Sequence, residues 1–253
     1  MNVEAPSVGQ MFKALVSNDQ AMTVVITIVL INCSLYITSN LLIYFFKYDI
    51  GGAGWNANYV LFNTFGGGIQ IISMMLFYPL FRKFISAMQV FYVSFVMAIG
   101  GYAVLLALMF TNRTNIYILM IPGFFIFTAF GMLTVLTTVF LANTVDYGEL
   151  KNNRRDESVI FSMQTFVVKL ASGVAAMIAS ICLTISNISN DTSTEAAAMV
   201  SDSYTSVAVL RMTMTVLPII GLLVAVFIFA KKYILTDEKL GEINQELAHR
   251  HKA

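Results

Sequence analysis

Ionisable residues are scarce in this chain. Only 11% of its 253 residues are Asp, Glu, Lys or Arg, against 58% hydrophobic, whereas a soluble domain carries about a quarter charged residues and just under half apolar ones. So few charges cannot clothe a water-facing surface of this size, which excludes an ordinary soluble enzyme. The charges also nearly cancel, 15 basic against 14 acidic for a net charge of +1. With no basic field to draw phosphates, nucleic acid is not an expected partner. Cysteine occurs twice, at Cys33 and Cys182, each inside an apolar run; both read as small packing residues, which argues against a disulfide scaffold or a metal site. The two histidines, His249 and His251, fall at the extreme C-terminal end. No nucleophile–base pair or metal-ligand set for intramembrane catalysis can be assembled from them, so neither an enzyme nor a resident cofactor is expected. What the chain has in quantity is the opposite: 20 Phe, 15 Met and a mean hydropathy of +0.77. That leaves an integral membrane protein.

Crossing the hydrocarbon core takes a helix of about 20 mostly apolar residues. Six stretches qualify: Met22 to Phe46, Ala57 to Leu80, Met88 to Phe110, Ile116 to Ala142, Val159 to Ser186 and Val209 to Ala230. A β-barrel would show alternating segments of about 10 residues instead, and runs such as Val24 to Ile31 and Phe124 to Phe130 do not alternate. The expected fold is therefore an all-α membrane protein with six transmembrane helices. Residues 1–21 form an N-terminal segment, 22–230 the six-helix bundle and 231–253 a tail, in which Leu240, Ile243 and Leu247 are spaced for a short amphipathic helix. The connections are short except for Asn143 to Ser158 and Asn187 to Ala208.

The few charges predict the orientation. With residues 1–21 cytoplasmic, the inside segments hold Lys13, Arg82, Lys83, Lys151, Arg154, Arg155, Lys231, Lys232, Lys239, Arg250 and Lys252, and the outside loops only Lys47 and Arg113. This bias places both termini in the cytoplasm and the chain in the plasma (inner) membrane as a multi-pass protein. Residues 1–20 lack the apolar core of a signal peptide. The long outer loop carries Asp191, Glu195 and Asp202, and Asn112, Asn187 and Asn190 open glycosylation-type triplets on outer loops. Arg211, at the membrane edge of the last span, is expected to snorkel back to water.

Inside the spans one charge stands out. Lys169 lies about midway along the fifth, and Ser158, Ser162, Thr165, Lys169, Ser172 and Ala176 follow at steps of three or four on one face. An ionisable group at that depth normally meets a partner or a wet cavity, yet no acid of the expected spans is there to balance it. The first span groups Asn32, Tyr36, Ser39 and Asn40 in one sector, the second Asn63, Gly67 and Gln70, and the fourth Gly131, Thr134 and Thr138. Such amide and hydroxyl groups are either interhelical glue or the lining of a cavity for a polyol, which needs many donors and acceptors. The connection after the fourth span holds Asp146, Tyr147, Glu149, Lys151, Arg154, Arg155, Asp156 and Glu157. Alternating signs there either keep a loop solvated or latch a gate whose bonds form in one conformation and break in the other.

The order of these motifs is specific. Asn143-Thr-Val-Asp-Tyr-Gly-Glu-Leu-Lys, then Arg155-Asp-Glu-Ser, then Phe161-Ser-Met-Gln-Thr-Phe-Val-Val-Lys resembles the signature of the glycoside–pentoside–hexuronide:cation symporters, the melibiose permease-like group of the major facilitator superfamily. A weaker likeness runs from Tyr44-Phe-Phe-Lys-Tyr to the Leu240-Gly-Glu-Ile-Asn-Gln-Glu-Leu tail. The resemblance implies twelve helices in two bundles, of which this chain is the C-terminal six, with residues 1–20 standing where a central cytoplasmic loop would be and substrate bound near the midplane. It implies Na⁺- or H⁺-coupled transport of a sugar or glycoside by alternating access, or a truncated or split-gene module that is inactive without an N-terminal half. By position, Lys169, Gln164 and Thr165 match residues near the sugar and cation sites, and Asp146, Tyr147, Glu149 and Arg155 match the cytoplasmic gate; Asn32, Tyr36, Asn63 and Gln70 are weaker cavity-lining candidates. Asn143 stands where relatives usually carry Asp, and the main cation ligands are expected in the other half. The partners implied are the sugar, the cation, membrane lipid, and an N-terminal half or a second copy of the chain.

Overall fold

The computed structural model describes residue 9 and residues 15–111, 115–153, 155–188 and 204–250. Among these there is no strand, and six helices are long and apolar enough to cross a membrane: Asp19–Ile50, Trp55–Arg82, Ala87–Phe110, Ile116–Asn152, Glu157–Ile185 and Thr205–Lys232. They are the first to sixth spans below. A further helix, Asp237–Arg250, follows as the tail helix. The six-span, all-helical expectation is met.

Local chemistry sets several of the helix ends. The third span opens on a capping box: Ser86 Oγ accepts from the Gln89 N–H at 3.2 Å, and Gln89 Oε1 accepts from the Ser86 N–H at 2.9 Å. The first span opens on Asn18, whose Oδ1 accepts from the Ala21 N–H at 3.0 Å. Two spans are not α-helical throughout. The first switches to π-helical bonding over Phe45–Ile50, the second over Ser73–Phe77. At the second switch Ser73 Oγ donates to the Thr128 carbonyl at 2.6 Å, and Gly131 makes room, since a Cβ there would lie 2.6 Å from the Gln70 carbonyl oxygen.

The first and fourth spans form the centre. The first packs on the sixth, fifth and fourth, while the third and second lean on the fourth. A partly buried knot, Thr38 Oγ1 at 2.9 Å from both the Tyr102 hydroxyl and the Met214 carbonyl, ties the first, third and sixth spans at mid-depth. The Thr38 proton goes to the carbonyl, so Tyr102 donates to Thr38. Near the end bearing most basic residues, Phe91, Phe140, Phe229 and Tyr233 interlock with centroids 4.2 to 5.2 Å apart. The second and fifth spans are different. Over the α-helical part of the second only Phe62 and Gly66 are buried, and among the described residues the remaining faces of both spans are largely exposed.

The structure corrects three expectations. The segment Asn143 to Ser158 is not a sixteen-residue loop: the fourth span stays helical to Asn152 and stops at Asn153, whose φ of 53° is left-handed. Its turns persist because one side is packed, with Thr144, Val145 and Gly148 buried. Arg211 does not snorkel; it is 8% exposed and paired with Asp49. That pairing also places an acid inside a spanning helix, where none was expected. Arg154, Asn112, Asn190, Asp191, Glu195 and Asp202 lie outside the described residues.

Candidate functional site

The bundle holds a cavity of about 490 Å³ lined mainly by the first, second, fourth and fifth spans, with Tyr102, Leu105 and Met214 added by the third and sixth. Its polar wall is built by helical spacing. Asn32, Tyr36 and Ser39 follow one another by four and three residues on the first span, and Asn63, Gly67 and Gln70 do the same on the second, so each triplet shares a face. Gly67 leaves the wall open, with no atom within 4 Å of where a Cβ would stand. Thr134 and Gln164 add the fourth and fifth spans, while Phe45, Phe62 and Phe127 provide an apolar wall. Asn32 Nδ2 donates to the Ile28 carbonyl at 2.8 Å and Gln164 Nε2 to Thr138 Oγ1 at 3.0 Å, which fixes both amides. Among the described residues the side chains of Tyr36, Asn63 and Gln70 form no hydrogen bond within the chain. Donors and acceptors grouped in this way have the chemistry to bind a polyhydroxylated ligand.

The sequence candidates divide over this site. Asn32, Tyr36, Asn63, Gln70 and Gln164 come together as cavity lining. Lys169 and Thr165 do not. Both are exposed on the outer side of the fifth span, in one stripe with Ser158, Ser162, Ser172 and Ala176, each of them exposed. Gln164 and Val168, one position before each of the two, line the cavity, so the stripe borders its edge. Thr165 Oγ1 donates to its own helix at the Phe161 carbonyl, 3.3 Å away, and no described acid pairs with Lys169.

The acid–base cluster forms two separate contacts. Arg155 gathers three carboxylates, with Nη1 at 2.9 Å from Asp146 and 2.8 Å from Glu149, and Nε at 3.2 Å from Glu157. Asp146 and Glu149 reach it together because they lie three residues apart on one helix. The Glu149 contact, followed by Asp146 and Glu157, drives the Arg155 guanidinium still further above its ordinary range. Tyr147 points elsewhere. Its hydroxyl donates to Asp19 Oδ1 at 3.1 Å, and Lys151 pairs with the same oxygen.

Sequence reasoning missed the residues that receive Tyr147. Asn18, buried at 2% exposure, donates to the Thr144 carbonyl at 2.8 Å, and Gly148 makes room for it: a Cβ there would stand 2.6 Å from Asn18 Nδ2. Gln20 accepts from the Ile234 N–H at 3.0 Å and donates to the Lys232 carbonyl at 3.2 Å. Residues 18–20 thus staple the start of the first span to the ends of the fourth and sixth. The available signal was Asn-Asp just ahead of an apolar run, which is a helix-start pattern. The tail helix adds to this end, burying Ile243 and Leu247 while Arg250 Nη1 donates to Asn153 Oδ1 at 2.9 Å and the Leu150 carbonyl at 3.2 Å.

At the opposite end Asp49 and Arg211 form a two-pronged pair. Arg211 Nε donates to one carboxylate oxygen at 2.7 Å and Nη2 to the other at 2.6 Å, with the guanidinium 5.6 Å from the Phe110 ring centre.

A family model described as MFS/sugar transport protein matches residues 2–237. The lactose permease of Lactobacillus delbrueckii subsp. bulgaricus is 30% identical over 248 residues, which is 96% of this chain and 37% of the permease. The raffinose carrier protein of Pediococcus pentosaceus is 28% identical over 94% of this chain and 35% of its own length. An uncharacterized symporter of Bacillus subtilis is 24% identical over 96% of this chain and 50% of its own length. The chain therefore spans between about a third and a half of these relatives.

Proposed function

The chain belongs to the MFS/sugar transport protein family, and from that premise we propose that it works as one six-helix half of a cation-coupled sugar transporter. The observation that carries this reading is the open polar face. The cavity with its unpartnered Tyr36, Asn63 and Gln70 lies against the same side of the bundle as the Lys169 stripe, and no described helix covers that stripe. A second bundle laid there would complete a central site.

In this reading a sugar or glycoside is held by Asn32, Tyr36, Asn63, Gln70 and Gln164, with Thr165 at the rim. Lys169 balances a carboxylate that the covering half contributes to the Na⁺ or H⁺ site. No bond is made or broken; the work is differential binding to inward- and outward-open states, which the two halves reach by rocking around the site. Asp146, Glu149 and Arg155 act as a latch on the cytoplasmic side, with both termini facing the cytoplasm of the plasma (inner) membrane. Tyr147 steadies the same end through Asp19.

The test is uptake by the intact gene product of a sugar panel that includes lactose and raffinose, with and without a Na⁺ or H⁺ gradient. Lys169→Val is expected to reduce accumulation against a gradient at least a hundredfold. Undiminished accumulation by that variant sinks the assignment of Lys169, and absence of uptake of every sugar by the unaltered protein sinks the transport reading.

The exposed stripe also favours a second statement, that the six helices alone do not transport. Reconstituted by itself, the chain is expected to show no uptake, and co-expression with a six-helix N-terminal half is expected to restore it. Transport by the chain alone, together with crosslinking into dimers, would instead make a second copy the covering partner.

A further inference from the structure

The first span abandons α-helical bonding six residues before it ends. Over Phe45–Ile50 the bonds are π-helical, with the Gly51 N–H donating to the Phe46 carbonyl at 3.1 Å, and Gly51 and Gly52, at φ 62° and 79°, then turn the chain away. Such turns are uncommon and gather at functional sites. The wider turn rotates each following side chain relative to its α-helical position. Here Phe45 faces the cavity. Phe46 meets Phe62, another cavity wall, at 5.5 Å between ring centres, while Asp49 turns into the bundle toward Arg211.

Phe45, Phe46 and Tyr48 of this turn are buried, and Asp49 adds the charged contact at its end. The glycine turn that follows packs loosely, since Gly51, Gly52 and Gly54 have nothing within 4 Å of a Cβ position. On the other side, the two short bonds from Arg211 hold the carboxylate in a site where the paired side chains are only 3% and 10% exposed. The planar fork of a guanidinium matches both carboxylate oxygens at once and so fixes orientation as well as distance. Phe110, the last residue of the third span, backs the guanidinium. Three spans therefore meet at the pair, and one of them carries the end wall of the cavity.

We propose that Asp49 and Arg211 are positioning residues for the cavity. The pair holds the π-helical turn in register against the sixth span, and that register presents Phe45, and through Phe46 also Phe62, as the wall against which the ligand rests. The identity of the ligand rests on the sugar reading above; the positioning itself does not.

The experiment is built to separate the two. In the intact gene product, with Cys33 and Cys182 replaced by Ser, F45C installs a thiol at the wall. Its rate of reaction with a small maleimide is measured in this background and again with D49N/R211Q added, a pair that keeps hydrogen bonding without charge. The expected result is a rate change of at least fivefold, with folded yield and helix content unchanged. In the protein that keeps Phe45, D49N/R211Q is expected to raise the KM of the best-transported sugar about tenfold while the maximal rate stays within threefold. An unchanged thiol rate together with an unchanged KM would overturn the proposal and leave the pair a purely structural strut. A shifted thiol rate in a protein that takes up no sugar supports the positioning and removes the transport reading. Should D49N/R211Q not fold, D49E, which keeps the charge but lengthens the arm by one methylene, must produce both shifts, and normal values in folded D49E overturn the proposal equally.

Discussion

Each end of the bundle carries an arginine among carboxylates, and the two are built on different principles. Arg155 is half exposed and touches three acids, of which Glu157 is exposed, Asp146 about a third exposed and Glu149 more buried. Arg211 touches Asp49 in a site where both side chains are nearly dry. Water and salt screen the first cluster, and exposed pairs of this kind contribute only about 0 to 1 kcal/mol. Breaking a buried pair by removing one partner leaves an uncompensated charge and costs about 3 to 5 kcal/mol. On the proposed reading, the weakly bound cluster suits an element that opens and closes, whereas the dry pair suits one that stays put through the same motion.

The largest expected effect tests the dry pair. Arg211→Leu leaves Asp49 buried and alone, and thermal unfolding in detergent should show a loss of about 3 to 5 kcal/mol. Replacing both residues, as D49L/R211M, should recover most of that stability, because an apolar pair of similar volume is often no worse than a buried ion pair. Next comes the staple at the basic end. Asn18→Ala removes a helix cap and the bond to the Thr144 carbonyl, at a cost of about 1 to 2 kcal/mol by the same measurement. Gly148→Ala pushes a methyl against the Asn18 amide and should cost a similar amount, about 1 to 3 kcal/mol. The two changes together should cost less than their sum, since they disturb one contact. The smallest effect on stability belongs to Arg155→Gln, under about 1 kcal/mol, while the uptake rate falls several-fold. If Arg155→Gln melts the protein as severely as Arg211→Leu, the contrast between the two ends is lost.

The spans were legible in the sequence because length and hydropathy are all that a bilayer demands. The faces within them were legible for a similar reason: Asn32–Tyr36–Ser39 and Asn63–Gly67–Gln70 obey the helical period, and the cavity uses both triplets. What escaped was set by tertiary contact. Hydropathy falls away after Ala142, so the fourth span seemed to end there, yet Asn18 and Asp19 from far along the chain hold its next turns in place. Arg211 sits at a position where a long cation usually reaches water, and the π-helical end of the first span brings an acid close enough to pair with it inside the bundle. Of the residues expected at the substrate, Gln164 lies in the wall and Lys169 and Thr165 on the adjoining face. A period of 3.6 separates those faces correctly but does not say which of them the chain's own helices will cover.

That uncovered face also bears on what lies beside the fifth span in the membrane. A lysine at mid-membrane facing hydrocarbon is disfavoured by roughly 2.5 to 3.5 kcal/mol, which is on the order of a hundredfold in equilibrium population. Any arrangement that covers Lys169, Thr165 and the serines above and below them is preferred by that factor, whatever supplies the cover. On the proposed reading, the polar flank of the fifth span is thus itself a force that draws a covering half against this one.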